Sequence, residues 1–234
     1  MNIMNTEATI TFRGLPWFRL ASSTYITIGG AGGIGSWLSL FLTRAGFPCS
    51  VHDFDIVEAR NIGGQFYGKD TIGKKKVEAL KQSIGYFSDS SRVSIYVDTM
   101  DINSKVSYNC FSAFDNMKAR KEVFMAWKSK IDKLPQNEAY KAIFIDGRLE
   151  AEFFQIYCVT PSRIKRYEET LFEDADVAET ACSVKQTSHV AAMIGSFMTT
   201  FFTNHLTNIV EGMKVREVPF KYEVFLPLIK TYEE

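Results

Sequence analysis

Residues Tyr25 to Gly35 read YITIGGAGGIG, and the fold is read outward from them. Tyr25 to Ile28 is a short aromatic and β-branched run with the composition of a buried strand. It passes directly into Gly30, Gly32, Gly33 and Gly35, after which Ser36 to Leu42 is patterned as a helix. A strand, a glycine turn and a helix N-terminus, in that order, suit a nucleotide phosphate. The glycines let backbone approach the phosphate, and the first-turn N–H groups point at it. Tight turns of this kind also serve packing alone, so the neighbouring segments have to decide.

Downstream, the apolar helix ends near Gly46 and Pro48, and Cys49 to His52 reads as a second strand closing on Asp53-Phe54-Asp55. A carboxylate at that point holds a ribose in Rossmann-type folds, although Asp55 could equally cap the loop. The following IVEARNIGGQFY, residues 56–67, is polar and irregular. Lys74, Lys75 and Lys76 then open a helix running through Ile84. Cations at a helix N-terminus oppose its dipole, so either a partner anion or a solvated first turn accounts for them. Arg92–Val97 and Tyr108–Ala113 read as further strands, the latter ending at Phe114-Asp115-Asn116 before a helix that buries Met117, Ala119, Val123, Phe124 and Trp127. Lys130–Lys141 reads as a loop, Ala142–Ile145 as a fifth strand ending at Asp146-Gly147-Arg148, and Phe153–Thr160 as a sixth.

This alternation predicts an α/β fold: a Rossmann-like, mostly parallel sheet flanked by helices, with a C-terminal antiparallel continuation. A single domain over residues 1–234 is expected. It comprises an N-terminal segment (1–20, with a strand at Thr9–Phe12), a nucleotide-binding core (21–150) and a remainder (151–234). The remainder holds a charged, exposed crossover at Pro161–Glu179, a long helix starting around Cys182, and one or two final strands, with Pro219 favouring an edge.

Lys plus Arg and Asp plus Glu are both 27, so the formal charge is zero and nothing suggests a nucleic-acid or membrane partner. Cys49, Cys110, Cys158 and Cys182 are scattered without a C-x-x-C pair, which excludes a zinc ribbon and points to a reducing, cytoplasmic setting. The N-terminal MNIMNTEATITFRG lacks the apolar centre of a signal peptide. The apolar stretch Val190–Val210 is broken by threonines, asparagines and His205, which suits a core or dimer-facing helix better than a membrane span.

Four marks occur in order: Gly30-x-Gly32-Gly33-x-Gly35, Asp53-x-Asp55-x-Val57-x-x-x-Asn61, Gly73-x-x-Lys76 and Asp115-Asn116-x-x-x-Arg120. Together they resemble the ThiF, MoeB and HesA branch of the ubiquitin-activating superfamily, closely over about residues 22–125 and loosely beyond. The resemblance implies an ATP-dependent adenylyltransferase. Such an enzyme activates the C-terminal carboxylate of a small β-grasp carrier protein or peptide and works as a homodimer. It also implies residue roles: the glycine turn cradles ATP, Asp53 and Asp55 lie at the ribose, Asn61 and Lys76 hold phosphate oxygens, and Gln65 is among the nucleotide-binding residues. Asp115, with Asn116 beside it, binds Mg²⁺, while Arg120 braces Asp115 or a phosphate. The competing role for Asp115 is a helix N-cap.

The sequence departs from that branch in places. Gly64 stands where an arginine usually precedes the glutamine, leaving Lys74, Lys75 or Arg148 to supply the cation, or activity reduced or lost. The zinc-binding cysteine pairs are absent, so no zinc is expected. Arg13 is the candidate for an arginine donated across a dimer. Cys182 sits where some relatives carry a cysteine for thioester or persulfide chemistry, against the alternative of a small buried residue. Two other readings compete: a non-catalytic nucleotide- or protein-binding relative, favoured by Gly64, and an NAD-dependent oxidoreductase. The latter leaves Gly73-x-x-Lys76 and Asp115-Asn116 unexplained.

Overall fold

The computed structural model describes Phe12, residues 14–172 and residues 187–228. They form seven strands: β1 (Ile26–Gly29), β2 (Cys49–His52), β3 (Val93–Tyr96), β4 (Asn109–Ser112), β5 (Ile143–Glu150), β6 (Phe153–Val159) and β7 (Lys221–Phe225). The helices are α1 (Phe18–Ala21), α2 (Gly33–Arg44), α3 (Lys76–Gly85), α4 (Met117–Ile131), α5 (Gln136–Ala139), α6 (Ile164–Glu168) and α7 (Ser188–Glu211). One sheet carries all seven strands in the order β3-β2-β1-β4-β5-β6-β7. The pairings from β3 through β5 are parallel, and β6 and β7 continue the sheet antiparallel.

Parallel strands are covered on both faces, and successive side chains alternate between two cores. Ile26, Ile28, Val51, Val93, Phe111, Ile143 and Ile145 enter the larger core, beneath α2 and α7. Cys110, Phe144, Tyr157 and Val159 point the other way, to Val123, Phe124 and Trp127 of α4 and Tyr167 of α6. The apolar face of α7 is used inside the fold: Val190, Ile194, Met198, Phe202 and Leu206 are buried. Gly195 lets α7 approach α2 closely, since a Cβ there would lie 3.1 Å from the Leu38 backbone nitrogen. Gly212 closes the helix at φ 68°, the left-handed conformation that glycine adopts freely.

The elements depart from expectation at several points. The glycine turn is partly helical, because α2 begins at Gly33 rather than Ser36. β5 does not stop at Asp146-Gly147-Arg148 but runs through it to Glu150 and pairs with β6 along its length. Asp146 and Arg148 satisfy each other, so the apparent turn signal is a paired strand interior. Residues 136–139 form a helical turn inside the expected loop. The start of the crossover is not simply exposed, since α6 buries Tyr167 completely. One strand, β7, follows Pro219 at the sheet edge. The strand expected at Thr9–Phe12 lies outside the described residues except for Phe12, which sits in a turn. The long helix is described from Ser188, and Cys182 and Arg13 also lie outside the described residues.

Candidate nucleotide site

Gly29, His52 and Ser112 share one rung of the sheet, so the chain leaves β1, β2 and β4 at the same carboxyl edge. From β1 the chain crosses to β2 on one side, while β4 lies on the other, and the strand order reverses between them. Open α/β sheets bind ligands in the crevice at this point. Gly30, Asp53 and the Phe114-Asp115-Asn116 turn all emerge there.

The glycine turn is packed to its limit. Gly30 takes φ 92° and donates its N–H to the His52 carbonyl at 2.9 Å. A Cβ on Gly35 would lie 1.9 Å from the Gly30 carbonyl oxygen, so only glycine fits where α2 folds back on the turn. Above Gly32 there is open space, with no atom within 4 Å of a Cβ placed there. No side chain caps the N-terminus of α2, which leaves the first turn open to an anion.

Asp53 locks this turn to β2. Its Oδ2 accepts the Ala31 N–H at 2.7 Å and its Oδ1 accepts the Asp55 N–H at 2.8 Å. Burial raises its carboxyl above the ordinary value, opposed by the Ala31 bond and by Lys76. Lys76, the first residue of α3, is buried and reaches Asp55 with Nζ–Oδ2 at 2.7 Å. Its backbone N–H also bonds the Asp55 carbonyl at 2.9 Å, so the pair is fixed through main chain as well as charge. Lys76 is therefore paired with a half-exposed carboxylate, close enough to Asp53 to act on its charge.

The 56–67 loop is latched over the N-terminal end of α2. The Trp37 indole donates to the Gly64 carbonyl at 3.0 Å, and Ser36 Oγ accepts the Phe66 N–H at 3.0 Å. The buried Tyr67 hydroxyl donates to the Ala31 carbonyl, and its acidity is suppressed by burial and by the nearby Asp53 and Asp55 carboxylates. Asn61 uses its Oδ1 to accept the Glu58 N–H at 2.8 Å within a 3₁₀ turn. Gln65 Oε1 is buried without a hydrogen-bond partner among the described residues.

On the other wall, Asp115 is exposed, and the cap of α4 is Asn116, whose Oδ1 accepts the Ala119 N–H at 2.8 Å. Arg120 is buried and turned inward to Asp146 and to the Gly147 and Phe114 carbonyls. Arg120 thus holds the carbonyl of the residue before Asp115 rather than Asp115 itself. The substitute cations are all engaged: Lys74 with Gln82 at 2.7 Å, Lys75 with the Phe54 carbonyl at 2.7 Å, and Arg148 with Asp146 at 2.9 Å. Among the described residues no group of three or more metal-ligating side chains occurs.

Ser36, Trp37 and Tyr67 escape sequence reasoning because their roles depend on contacts between residues about thirty positions apart. The only local signal is the aromatic pair Phe66-Tyr67 that follows Gln65. Cys49, Cys110 and Cys158 are buried, and burial raises all three thiols, Cys49 and Cys158 to about 12, so they are inert core residues. His189 is exposed at the start of α7.

Comparison with known proteins bears on the fold and the family. A ubiquitin-like modifier-activating enzyme 5 from Culex quinquefasciatus is 31% identical over 87 residues, covering 37% of this chain and 21% of that protein. Escherichia coli MccB, solved with ATP, superposes with a TM-score of 0.65 at 13% identity over 92% of this chain. PaaA does so with 0.66 at 17% over 100%, and TcdA (CsdL) with 0.60 at 16% over 87%. At these identities the structural likeness is one of fold. The chain spans 64% of MccB, 74% of PaaA, 92% of TcdA and about a fifth of the curated relative. The sequence pattern of the ThiF family matches residues 17–225, from ahead of β1 to the end of β7, and the chain belongs to that family.

Proposed function

We propose that the chain binds ATP in the crevice between β1 and β4 and adenylates the C-terminal carboxylate of a small β-grasp carrier protein or peptide. The carrying observation is the Asp53 clamp: one carboxylate bonds the glycine turn and the Asp55 backbone, beside the paired Lys76. In the reaction a carboxylate oxygen attacks the α-phosphorus of ATP. The bond from that phosphorus to the bridging oxygen breaks, and pyrophosphate leaves with the electron pair. The protein's contribution is positioning and charge neutralisation.

The glycine turn and the open end of α2 cradle phosphate, and Asp53, with Asp55, meets the ribose hydroxyls. Lys76 exchanges Asp55 for phosphate oxygens, assisted by Asn61 and Gln65. The unpartnered Gln65 Oε1 is suited to a hydroxyl or a bound water. Asp115, with Asn116 beside it, would hold Mg²⁺ jointly with the phosphates, a hard-ion site needing few protein oxygens. The ion would supply neutralisation of triphosphate charge. A homodimer with Arg13 donated from the second copy, a cytoplasmic location and a thiol role for Cys182 belong to the same reading. A second reading, a nucleotide-binding module without turnover, is favoured by Gly64, which has no side chain where the family's arginine would serve phosphate.

The deciding experiment is calorimetric titration with ATP, with and without Mg²⁺, and with NAD as control, on wild type and Asp115→Ala. Mg²⁺-dependent ATP binding that disappears in the variant is the expected result. No ATP binding, or preference for NAD, rejects the adenylation site. ATP–pyrophosphate exchange with candidate C-terminal peptides then separates an enzyme from a silent module.

A further inference from the structure

Asp146, which has no part in the nucleotide roles above, is fully buried at the centre of a network of its own. Its oxygens are divided between two parts of the fold. Oδ1 accepts from Arg120 Nη1, and Oδ2 accepts from Arg148 Nε at 2.9 Å and from the Tyr167 hydroxyl at 2.9 Å. Arg120 also donates from Nη2 to the Phe114 carbonyl at 2.6 Å, the peptide that leads into Asp115. Arg148 donates to the Thr170 carbonyl at 3.2 Å and hydroxyl at 3.1 Å, beyond the end of α6, and lies 4.4 Å from the centre of the Tyr157 ring.

Buried ion networks contribute little stability relative to well-packed apolar side chains. This one is not even complete. Ser112 Oγ, on the β4 residue paired with Asp146, and Arg120 Nε are both buried without partners among the described residues. Its distinguishing product is geometry: one carboxylate fixes, through two planar guanidiniums, a turn on one side and a helix end on the other.

We propose that Asp146 is a positioning residue that couples the Asp115 turn, through Arg120, to the C-terminal end of α6, through Arg148 and Tyr167. The functional consequence rests on the reading of Asp115 as the Mg²⁺–ATP ligand. The two ends are then set together, and loosening the α6 end loosens the Asp115 turn.

The test perturbs one end and reads the other. Tyr167→Phe and Arg148→Gln each remove contacts on the α6 side without touching Arg120 or Asp115. Hydrogen exchange is followed over residues 113–119 and 164–172, alongside titration with Mg²⁺–ATP and with ATP in chelator. Coupling predicts faster exchange in both segments and a loss of about fivefold to tenfold in Mg²⁺–ATP affinity, with Mg²⁺-free ATP affinity unchanged. Faster exchange confined to 164–172 overturns the coupling, as does an equal loss of both affinities. If wild type binds no Mg²⁺–ATP, the functional reading fails, and the exchange pattern still decides the coupling. Should Arg148→Gln not fold, Tyr167→Phe, which deletes one hydrogen bond, and Thr170→Val, which deletes the hydroxyl's bonds to Arg148 and to the Tyr167 carbonyl, give the same readouts.

Discussion

Gly35 and Gly32 differ by three positions and in what they do. A Cβ at Gly35 would lie 1.9 Å from the Gly30 carbonyl oxygen, a backbone atom in a turn held by its own hydrogen bond to His52. Gly35→Ala is expected to cost about 3 kcal/mol or more in stability, read as a large fall in Tm without any ligand. A Cβ at Gly32 meets nothing, so Gly32→Ala is expected to fold and melt much closer to wild type, yet to lose ATP affinity because it fills the open space above the turn. Equal melting losses in the two variants would contradict this division. Asp53 adds a pH dependence. Burial raises its pKa, so its ionisation disfavours the folded state. That contribution favours folding below the unfolded-state value and is lost as pH rises through the folded one. Ribose hydroxyls need the ionised form as acceptor, so ATP affinity is expected to fall as pH drops into the acid range, from a higher pH than an ordinary carboxylate would give. Asp53→Asn, titrated in parallel, cancels the nucleotide's own protonation. A constant ratio between the two dissociation constants across pH would contradict the role.

At the scale of elements, α4 separates structural capping from ligand binding at neighbouring residues. Asn116 accepts the Ala119 N–H, so Asn116→Ala should destabilise the unliganded protein by about 1 kcal/mol. Asp115 is exposed and does not cap, so Asp115→Ala should melt within about 0.5 kcal/mol of wild type while losing Mg²⁺-dependent binding. Thermal unfolding without nucleotide measures both, and a larger loss for Asp115→Ala would return the cap to it. Much of this edge is legible in the sequence. The central strands are short apolar runs stopped by Gly30, Asp53 and Asp115, and a parallel sheet demands that pattern. Boundaries slip where a distant partner overrides local chemistry. Asp146-Gly147-Arg148 has the composition of a turn, but Arg120 and Tyr167 satisfy Asp146, and the strand continues. The charged run around α6 reads as exposed, yet Tyr167 is in the core. The latch of Ser36, Trp37 and Tyr67 is invisible for the same reason. No local pattern announces a hydrogen bond across thirty residues.

Across the whole molecule, α7 covers one face of the sheet and carries a buried histidine, His205, whose lowered pKa is expected to link stability to pH. Its apolar face is spent on α2 and the sheet, so its composition supplies no separate argument for a dimer. No described helix is long and apolar enough to cross a membrane. Near its C-terminal half, buried His205 meets the Lys141 carbonyl through Nε2 at 2.9 Å, tying α7 to the chain entering β5. Burial lowers the His205 pKa, with Arg163 adding to the effect, while the carbonyl bond opposes it. The sign follows from linkage. Below about pH 6.5 the unfolded chain protonates this histidine and the folded chain does not, so stability present above that value is lost as pH falls toward the folded pKa. Each pH unit in that window costs at most about 1.4 kcal/mol. Other groups titrate in the same range, so the quantity to measure is the difference between wild type and His205→Gln, by urea unfolding from pH 7.5 to 5. Glutamine can still donate to Lys141 but does not titrate. It should cost about 1 kcal/mol at pH 7.5 for its imperfect fit, and the gap should shrink or reverse by pH 5. A gap independent of pH would mean that His205 protonates equally in both states, and that its burial between α7 and the start of β5 contributes nothing to the acid sensitivity of the fold.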